Sequence, residues 1–161
     1  MCRSDRFRII KILSVSEVPS VPNHSDLKPT KKILIIDDDR DLLLGLKVRL
    51  TSRGYGILSA TDAATAIMMV TQYRPDLILL DLGLPDSNGF VVMDFIKQVT
   101  STAWIPVIVV SARPGAVYKG PALLAGARDY FEKPFENEDL IKAIQRELAR
   151  VEDKTACRDG R

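Results

Sequence analysis

Three times along the chain a short aliphatic run breaks off at a polar side chain suited to chemistry. "ILII" (33–36) runs into Asp37, Asp38 and Asp39, "DLILLD" (76–81) ends on Asp81, and "IPVIVVSA" (105–112) carries Ser111 next to its end. Nearly unbroken aliphatic stretches of this length suit strands buried on both faces, which occur in parallel sheets covered by helices. Two further segments complete the set: "YGILSA" (55–60) reads as a weaker strand and "RDYFEK" (128–133) as one ending on Lys133.

The stretches between these strands have helical character. Leu42, Leu43, Leu46 and Leu50 mark a helix from about 40 to 53 that stops at Gly54, and "DAATAIMMVTQY" marks one closed by Arg74 and Pro75. "GFVVMDFIKQVTS" and "ENEDLIKAIQRELARV" follow strands three and five. The latter has carboxylates in its first turn and Arg146 and Arg150 near its end, as the helix dipole favours. The segment "RPGAVYKGPALLAGA" is less regular: Pro121 inside a helix would remove a hydrogen bond and crowd the preceding turn. This predicts a loose loop and a short fourth helix with Pro121 at its first position, closed by Gly126 as C-cap. Five strands alternating with five helices make an α/β fold with a parallel sheet covered on both sides.

Length and charge narrow the function. The 161 residues hold one sizeable core, and a net charge of +2 is too small to indicate a nucleic-acid surface. Most of the basic excess lies in the leader, where Arg3, Arg6, Arg8, Lys11, Lys28 and Lys31 face only Asp5, Glu17 and Asp26. Residues 1–30 read as a disordered extension, with a weakly amphipathic membrane-touching helix as the alternative, and 153–161 as a polar tail. No second folded domain is expected in residues 153–161, which leaves a stand-alone single domain or a fragment of a longer protein as alternatives. Cys2 and Cys157, near opposite ends, make no disulfide framework, and no apolar run approaches the ~18 residues a membrane span requires. A cytoplasmic protein without membrane contact is the expectation.

In an open parallel sheet, ligands bind beyond the carboxyl ends of the strands. There Asp37, Asp38, Asp81, Ser111 and Lys133 would be collected from four separate strands. Carboxylates forced together share a proton or hold a cation, and oxygen ligands without His or Cys select a hard ion such as Mg²⁺. Asp81 could then serve as ligand and as nucleophile toward phosphorus, with Lys133 and Ser111 supplying charge and a hydroxyl donor. Other residues have simpler readings. Asp39 is a helix cap, Asp86 and Asn88 are turn formers before Gly89, Trp104 is a packing or surface residue, and His24 is solvated in the leader.

The pieces "ILIIDDD", "DLILLDLGLPDSNGF", "VIVVSA" and "GARDYFEKPF" together resemble a response-regulator receiver domain of two-component signalling, over about residues 31–152. The resemblance implies a flavodoxin-like, doubly wound (βα)5 three-layer sandwich with strand order 2-1-3-4-5. It implies that Asp81 is the phosphoacceptor of a phosphorelay, that Asp37 and Asp38 hold Mg²⁺ with Asp38 the more direct ligand, and that Gly83 offers its backbone carbonyl to the metal. It implies Ser111 and Tyr130 as switch residues, Lys133 as the lysine before a cis Pro134, and Ala112, Gly83 and Arg113 as residues governing access to the phosphoryl group. The partners implied are a histidine kinase or histidine phosphotransfer protein and a downstream protein reading the helix 4/strand 5/helix 5 face, with no direct nucleic-acid contact. Such a domain phosphorylates and dephosphorylates itself without being a conventional enzyme.

Rival readings are a haloacid-dehalogenase-type phosphatase with Asp37 as nucleophile and Asp39 as acid, and a non-phosphorylated pseudo-receiver acting as an interaction module. An FMN-binding flavodoxin relative would need a phosphate-cradling loop where this chain has carboxylates.

Overall fold

The computed structural model describes residues 30–156, with side chains to 153. The readings of the leader, including Cys2 and His24, and of Cys157 and the residues after it lie outside the described residues. The elements alternate in chain order: β1 (Lys32–Ile36), α1 (Arg40–Thr51), β2 (Gly56–Ala60), α2 (Ala63–Tyr73), β3 (Leu77–Leu80), α3 (Gly89–Gln98), β4 (Val107–Ser111), α4 (Gly115–Leu124), β5 (Asp129–Glu132) and α5 (Asn137–Ala156). All strand pairings are parallel, in the order β2-β1-β3-β4-β5.

The period of two in each strand decides which helices it meets. Leu34, Ile36, Ile78, Leu80, Val107 and Val109 form one apolar layer with α2, α3 and α4, through residues such as Ala66, Val70, Val92, Met93, Ile96 and Ala122. Their strand neighbours Ile33, Ile35, Leu77, Leu79, Ile108 and Val110 point the other way, onto Leu46 and Leu50 of α1 and Leu140, Ile144 and Leu148 of α5. Both faces of β1, β3 and β4 are therefore dry. This explains why their sequences are aliphatic throughout, while the edge strands β2 and β5 tolerate Ser59 and Asp129.

Helix ends follow local chemistry. Asp39, Asp62 and Asn88 each accept hydrogen bonds from amides at the start of the helix that follows. Arg74 closes α2 in the left-handed region at φ 45°, with Pro75 behind it. The first helix ends at Thr51, two residues before the expected limit, and α3 ends at Gln98 rather than 101. At the other end of the chain, α5 runs to Ala156, past the expected domain limit at 152.

The largest departure from expectation is α4. It begins at Gly115, not at Pro121, and Pro121 lies inside it. Two residues account for this. Pro114 at the N-cap holds φ at −58°, and its carbonyl accepts from the amides of Val117 and Tyr118, which closes the first turn early. Gly120 has no Cβ to collide with the Pro121 ring, so the usual bar on a helical residue before proline is relieved. At its far end Gly126 takes φ 103° and donates to the carbonyl of Leu123, while Ala127 reaches back to Ala122, as a glycine C-cap should.

Candidate functional site

The sheet ladder itself delivers the polar residues. One position beyond the regular pairing, the amide of Asp37 donates to Ala60, that of Asp81 to Ile36, and that of Lys133 to Ser111, each at 2.8–3.0 Å. Each bond holds one adjacent pair of strand ends level, β1 with β2, β3 with β1 and β5 with β4, and the side chains at those ends meet at one edge.

Asp37, Asp81 and Ser111 are buried there, although all are polar. Lys133 joins the two carboxylates: its ammonium donates to Asp37 Oδ2 at 2.6 Å and to Asp81 Oδ2 at 3.1 Å. The other oxygen of Asp81 accepts from Ser111 Oγ at 2.7 Å and from the Gly83 amide at 2.8 Å. Asp37 Oδ1 accepts from the Asp39 amide at 2.9 Å. Every buried carboxylate oxygen is thus satisfied, as burial demands.

The two carboxyls respond differently to one environment. Burial disfavours the charge of both. For Asp37 it wins over the pull of Lys133 and the Asp39 amide, and the carboxyl is pushed above its usual range. For Asp81 burial is outweighed by the combined donors Ser111, Gly83 and Lys133, and the carboxyl lies below its usual range. Lys133 is itself disfavoured by burial, but Asp37 and Asp81 hold its ammonium above the ordinary lysine value. The surroundings of Asp81 therefore favour the ionised form more than those of Asp37 do.

Asp38 is exposed, and one oxygen from each of Asp37, Asp38 and Asp81 lies within 4.8 Å of the others. Three carboxylates face one ammonium, and residues 30–156 contain neither His nor Cys. An all-oxygen, anionic donor set open to solvent on one side fits a hard divalent cation such as Mg²⁺.

The remaining residues singled out in the sequence fall around this centre. Asp39 turns away from it, with Oδ1 accepting from the amides of Asp41 and Leu42 at the start of α1. A phosphatase using Asp39 as its acid would find that carboxylate already engaged as a cap. Tyr130 lies inside the protein, its hydroxyl donating to the Arg113 carbonyl at 2.6 Å, and Ser111 already touches Asp81. Arg113 lies over the Tyr118 ring at 5.1 Å, and Ala112 is exposed at the rim. The Lys133–Pro134 peptide is cis. Asp86 does more than form a turn: its carboxylate accepts from the Ala63 amide at 3.3 Å, which ties the loop after β3 to the start of α2. Asn88 caps α3 through the Phe90 amide, and Trp104 is half-exposed with its indole N–H on the Ser101 carbonyl.

Two contributors were not visible in the sequence. A Cβ on Gly89 would collide with the backbone carbonyl of Asp81 and stand 2.8 Å from Leu82 Cα, so only glycine lets α3 begin against the residue after β3. Glu132, one position before Lys133, accepts from the Gly115 amide at 2.8 Å. Neither has a signal in a single sequence, because each depends on what folds beside it.

A model of the response regulator receiver domain matches residues 33–145. The chain belongs to the response regulator receiver domain family. Its relatives include the transcriptional regulatory protein KdpE of Mycobacterium tuberculosis, 38% identical over 120 residues, 73% of this chain and 51% of the relative. KdpE of Staphylococcus aureus is 42% identical over 74% of this chain and 50% of its own length, and the DNA-binding response regulator MtrA of Mycolicibacterium smegmatis 33% identical over 78% and 54%.

This receiver chain spans about half the length of those relatives, whose names, as regulators of transcription or DNA-binding proteins, lend no support to the expectation of no nucleic-acid contact. Among solved structures it is similar to a CheY-like receiver domain protein from Methanospirillum hungatei, with a TM-score of 0.73 at 28% identity, over 78% of this chain and 99% of that one. It is also similar to the receiver domain of a sensor histidine kinase from Pseudomonas aeruginosa, whose active-site cleft coordinates a magnesium ion. There the TM-score is 0.69 at 26% identity, over 75% of this chain and 99% of the other. The fold class and strand order expected from the sequence hold. No helix among the described residues is long and apolar enough to cross a membrane.

Proposed function

We propose that residues 31–152 form the phosphoacceptor of a two-component relay in which Asp81 takes a phosphoryl group from a phosphohistidine. The observation that carries this reading is the arrangement on Asp81: one oxygen held by Ser111 and Gly83, the other by a lysine that also grips Asp37. The donors keep Asp81 ionised at neutral pH and fix the plane of its carboxylate, so a nucleophilic oxygen is presented in a set direction. In the transfer a P–O bond to Asp81 forms as the P–N bond of the donor breaks, and the imidazole leaves. Lys133 and the Ser111 hydroxyl are placed to accompany the phosphoryl oxygens once the bond is made. A Mg²⁺ ion held by Asp37, Asp38 and Asp81 with the Gly83 carbonyl would supply the charge neutralisation that lets two anions approach.

Ala112, Gly83 and Arg113 border the acceptor and would govern the entry of water. Signal output would pass through Ser111 and Tyr130 to the face made by α4, β5 and α5, by a shift in population between arrangements of that face. A histidine kinase or phosphotransfer protein is the donor this reading requires, and a downstream protein is the reader.

The test is incubation with acetyl phosphate and Mg²⁺ followed by peptide mapping in a mass spectrometer. Phosphoryl mass on the Asp81 peptide, lost in Asp81→Asn and without Mg²⁺, is expected. Label on Asp37 would favour the phosphatase reading, and no label from this donor or from a phosphohistidine protein would favour a pseudo-receiver.

A further inference from the structure

Unlike α1 and α3, which begin beside the site under side-chain caps, α4 has an N-cap with no side-chain acceptor. The residue there is Pro114, whereas α1 has Asp39 and α3 has Asn88. Its first amide, that of Gly115, donates instead to Glu132 Oε2 on the neighbouring strand, at 2.8 Å. The contact is close: a Cβ on Gly115 would stand 3.1 Å from that oxygen, so the carboxylate would have to give slightly, and 3.6 Å from the Tyr130 ring. Two positions earlier on β5, Tyr130 donates its hydroxyl to the Arg113 carbonyl at 2.6 Å. The loop between β4 and α4 is thus pinned by β5 at Arg113 and Gly115. The same loop starts at Ser111, whose hydroxyl is on Asp81 and whose carbonyl accepts from the Lys133 amide.

We infer that Glu132 is a positioning residue that caps α4 from outside, holds the β4–α4 loop against the site, and so sets the lifetime of the acyl phosphate. This rests on the reading of Asp81 as the phosphoacceptor. In hydrolysis, water attacks phosphorus, the bond between phosphorus and the Asp81 oxygen breaks, the carboxylate is restored, and orthophosphate leaves with the water's oxygen and protons. Glu132 touches none of these atoms. It acts through Gly115: with that amide released, the first turn of α4 frays, Arg113 withdraws from Tyr130, and the rim beside Asp81 opens to water.

The test compares wild type, Glu132→Ala and Glu132→Gln, each labelled with acetyl phosphate and Mg²⁺, freed of donor, and followed by intact mass. Alanine should shorten the half-life of the label about fivefold, equivalent to about 1 kcal/mol, while the rate of labelling stays within about twofold. Glutamine keeps an oxygen acceptor for Gly115 and should retain the wild-type half-life. Equal half-lives in all three proteins, or a glutamine variant as short-lived as alanine, overturns the inference. Amide exchange over residues 112–118, read without any phosphoryl donor, should rise in Glu132→Ala and not in Glu132→Gln, and unchanged exchange also overturns it. Altered exchange together with an unlabelled wild type would instead sink the phosphoacceptor reading and the lifetime role with it. Far-UV circular dichroism confirms that each variant is folded.

Discussion

Helix α1 starts at a residue that caps it, for Asp39 accepts from the amides of Asp41 and Leu42, two and three positions along. Helix α4 starts behind Pro114, whose side chain offers no acceptor, and its first residue Gly115 uses Glu132, 17 residues downstream on β5. Both helices leave the same edge of the sheet, next to the same carboxylates. The first is capped within four residues of sequence, and the second is capped only when β5 is in place beside β4. A region of the first kind forms a fixed wall of the site. A region of the second kind packs by apolar contacts further along, through Ala122 and Tyr118, but its first turn hangs on an exposed carboxylate of another element and can loosen there without the rest of the sheet.

The largest expected effect concerns the group both regions share. Lys133→Met leaves Asp37 and Asp81 side by side with no cation, and should lower stability by about 3 kcal/mol in urea titrations without metal. Because Asp37 and Asp81 hold the Lys133 ammonium above the ordinary lysine value of 10.5, its contribution is full below that pH and is lost as pH rises through its folded value. Going upward from neutral pH, the gap between wild type and variant should therefore close only in strongly alkaline solution. A gap that closes near pH 7 would contradict the pairing.

Removing the local cap comes next. Asp39→Ala should cost about 1 kcal/mol and speed amide exchange in the first turn of α1, leaving the environment of Tyr130 as it was. Tyr130→Phe, on the other side, should cost somewhat less, about 0.5–1 kcal/mol for one neutral hydrogen bond, and its exchange changes should fall on residues 112–118. If Asp39→Ala disturbed α4, or Tyr130→Phe disturbed α1, the two regions would not be independent. The smallest change has the opposite sign. Pro121→Ala restores an amide inside α4 and should raise stability by about 0.5 kcal/mol, part of the gain being offset by a freer unfolded chain. A loss of stability there would mean that Pro121 serves α4 in a way its position does not show.

The same contrast explains what could be read from the sequence. Strands β1, β3 and β4 were legible because burial on both faces demands unbroken aliphatics, and Asp37, Asp81 and Ser111 were legible because each ends or directly follows such a strand, while Lys133 follows the weaker edge strand β5. Asp39 was legible as a cap because capping is local. The start of α4 was not: Pro121 argued correctly for a lost hydrogen bond, but Gly120 relieves the clash and Pro114 closes the first turn, so the helix runs through it. Gly89 and Glu132 escaped notice because their roles are set by Asp81 and Gly115, to which no local pattern links them and which only the fold brings against them. The residue types of the site could be named from sequence, and the contacts that hold its movable rim could not.

The central claim is that Asp81 itself carries the phosphoryl group as an acyl phosphate. Borohydride reduces such a mixed anhydride to the alcohol and leaves free carboxylates alone, so protein labelled from a phosphohistidine donor in the presence of Mg²⁺ can be reduced and sequenced. Homoserine at position 81, and only where donor and Mg²⁺ were both supplied, is the predicted result. Homoserine at position 37, or none while the donor loses its phosphoryl group to this protein, would contradict the account.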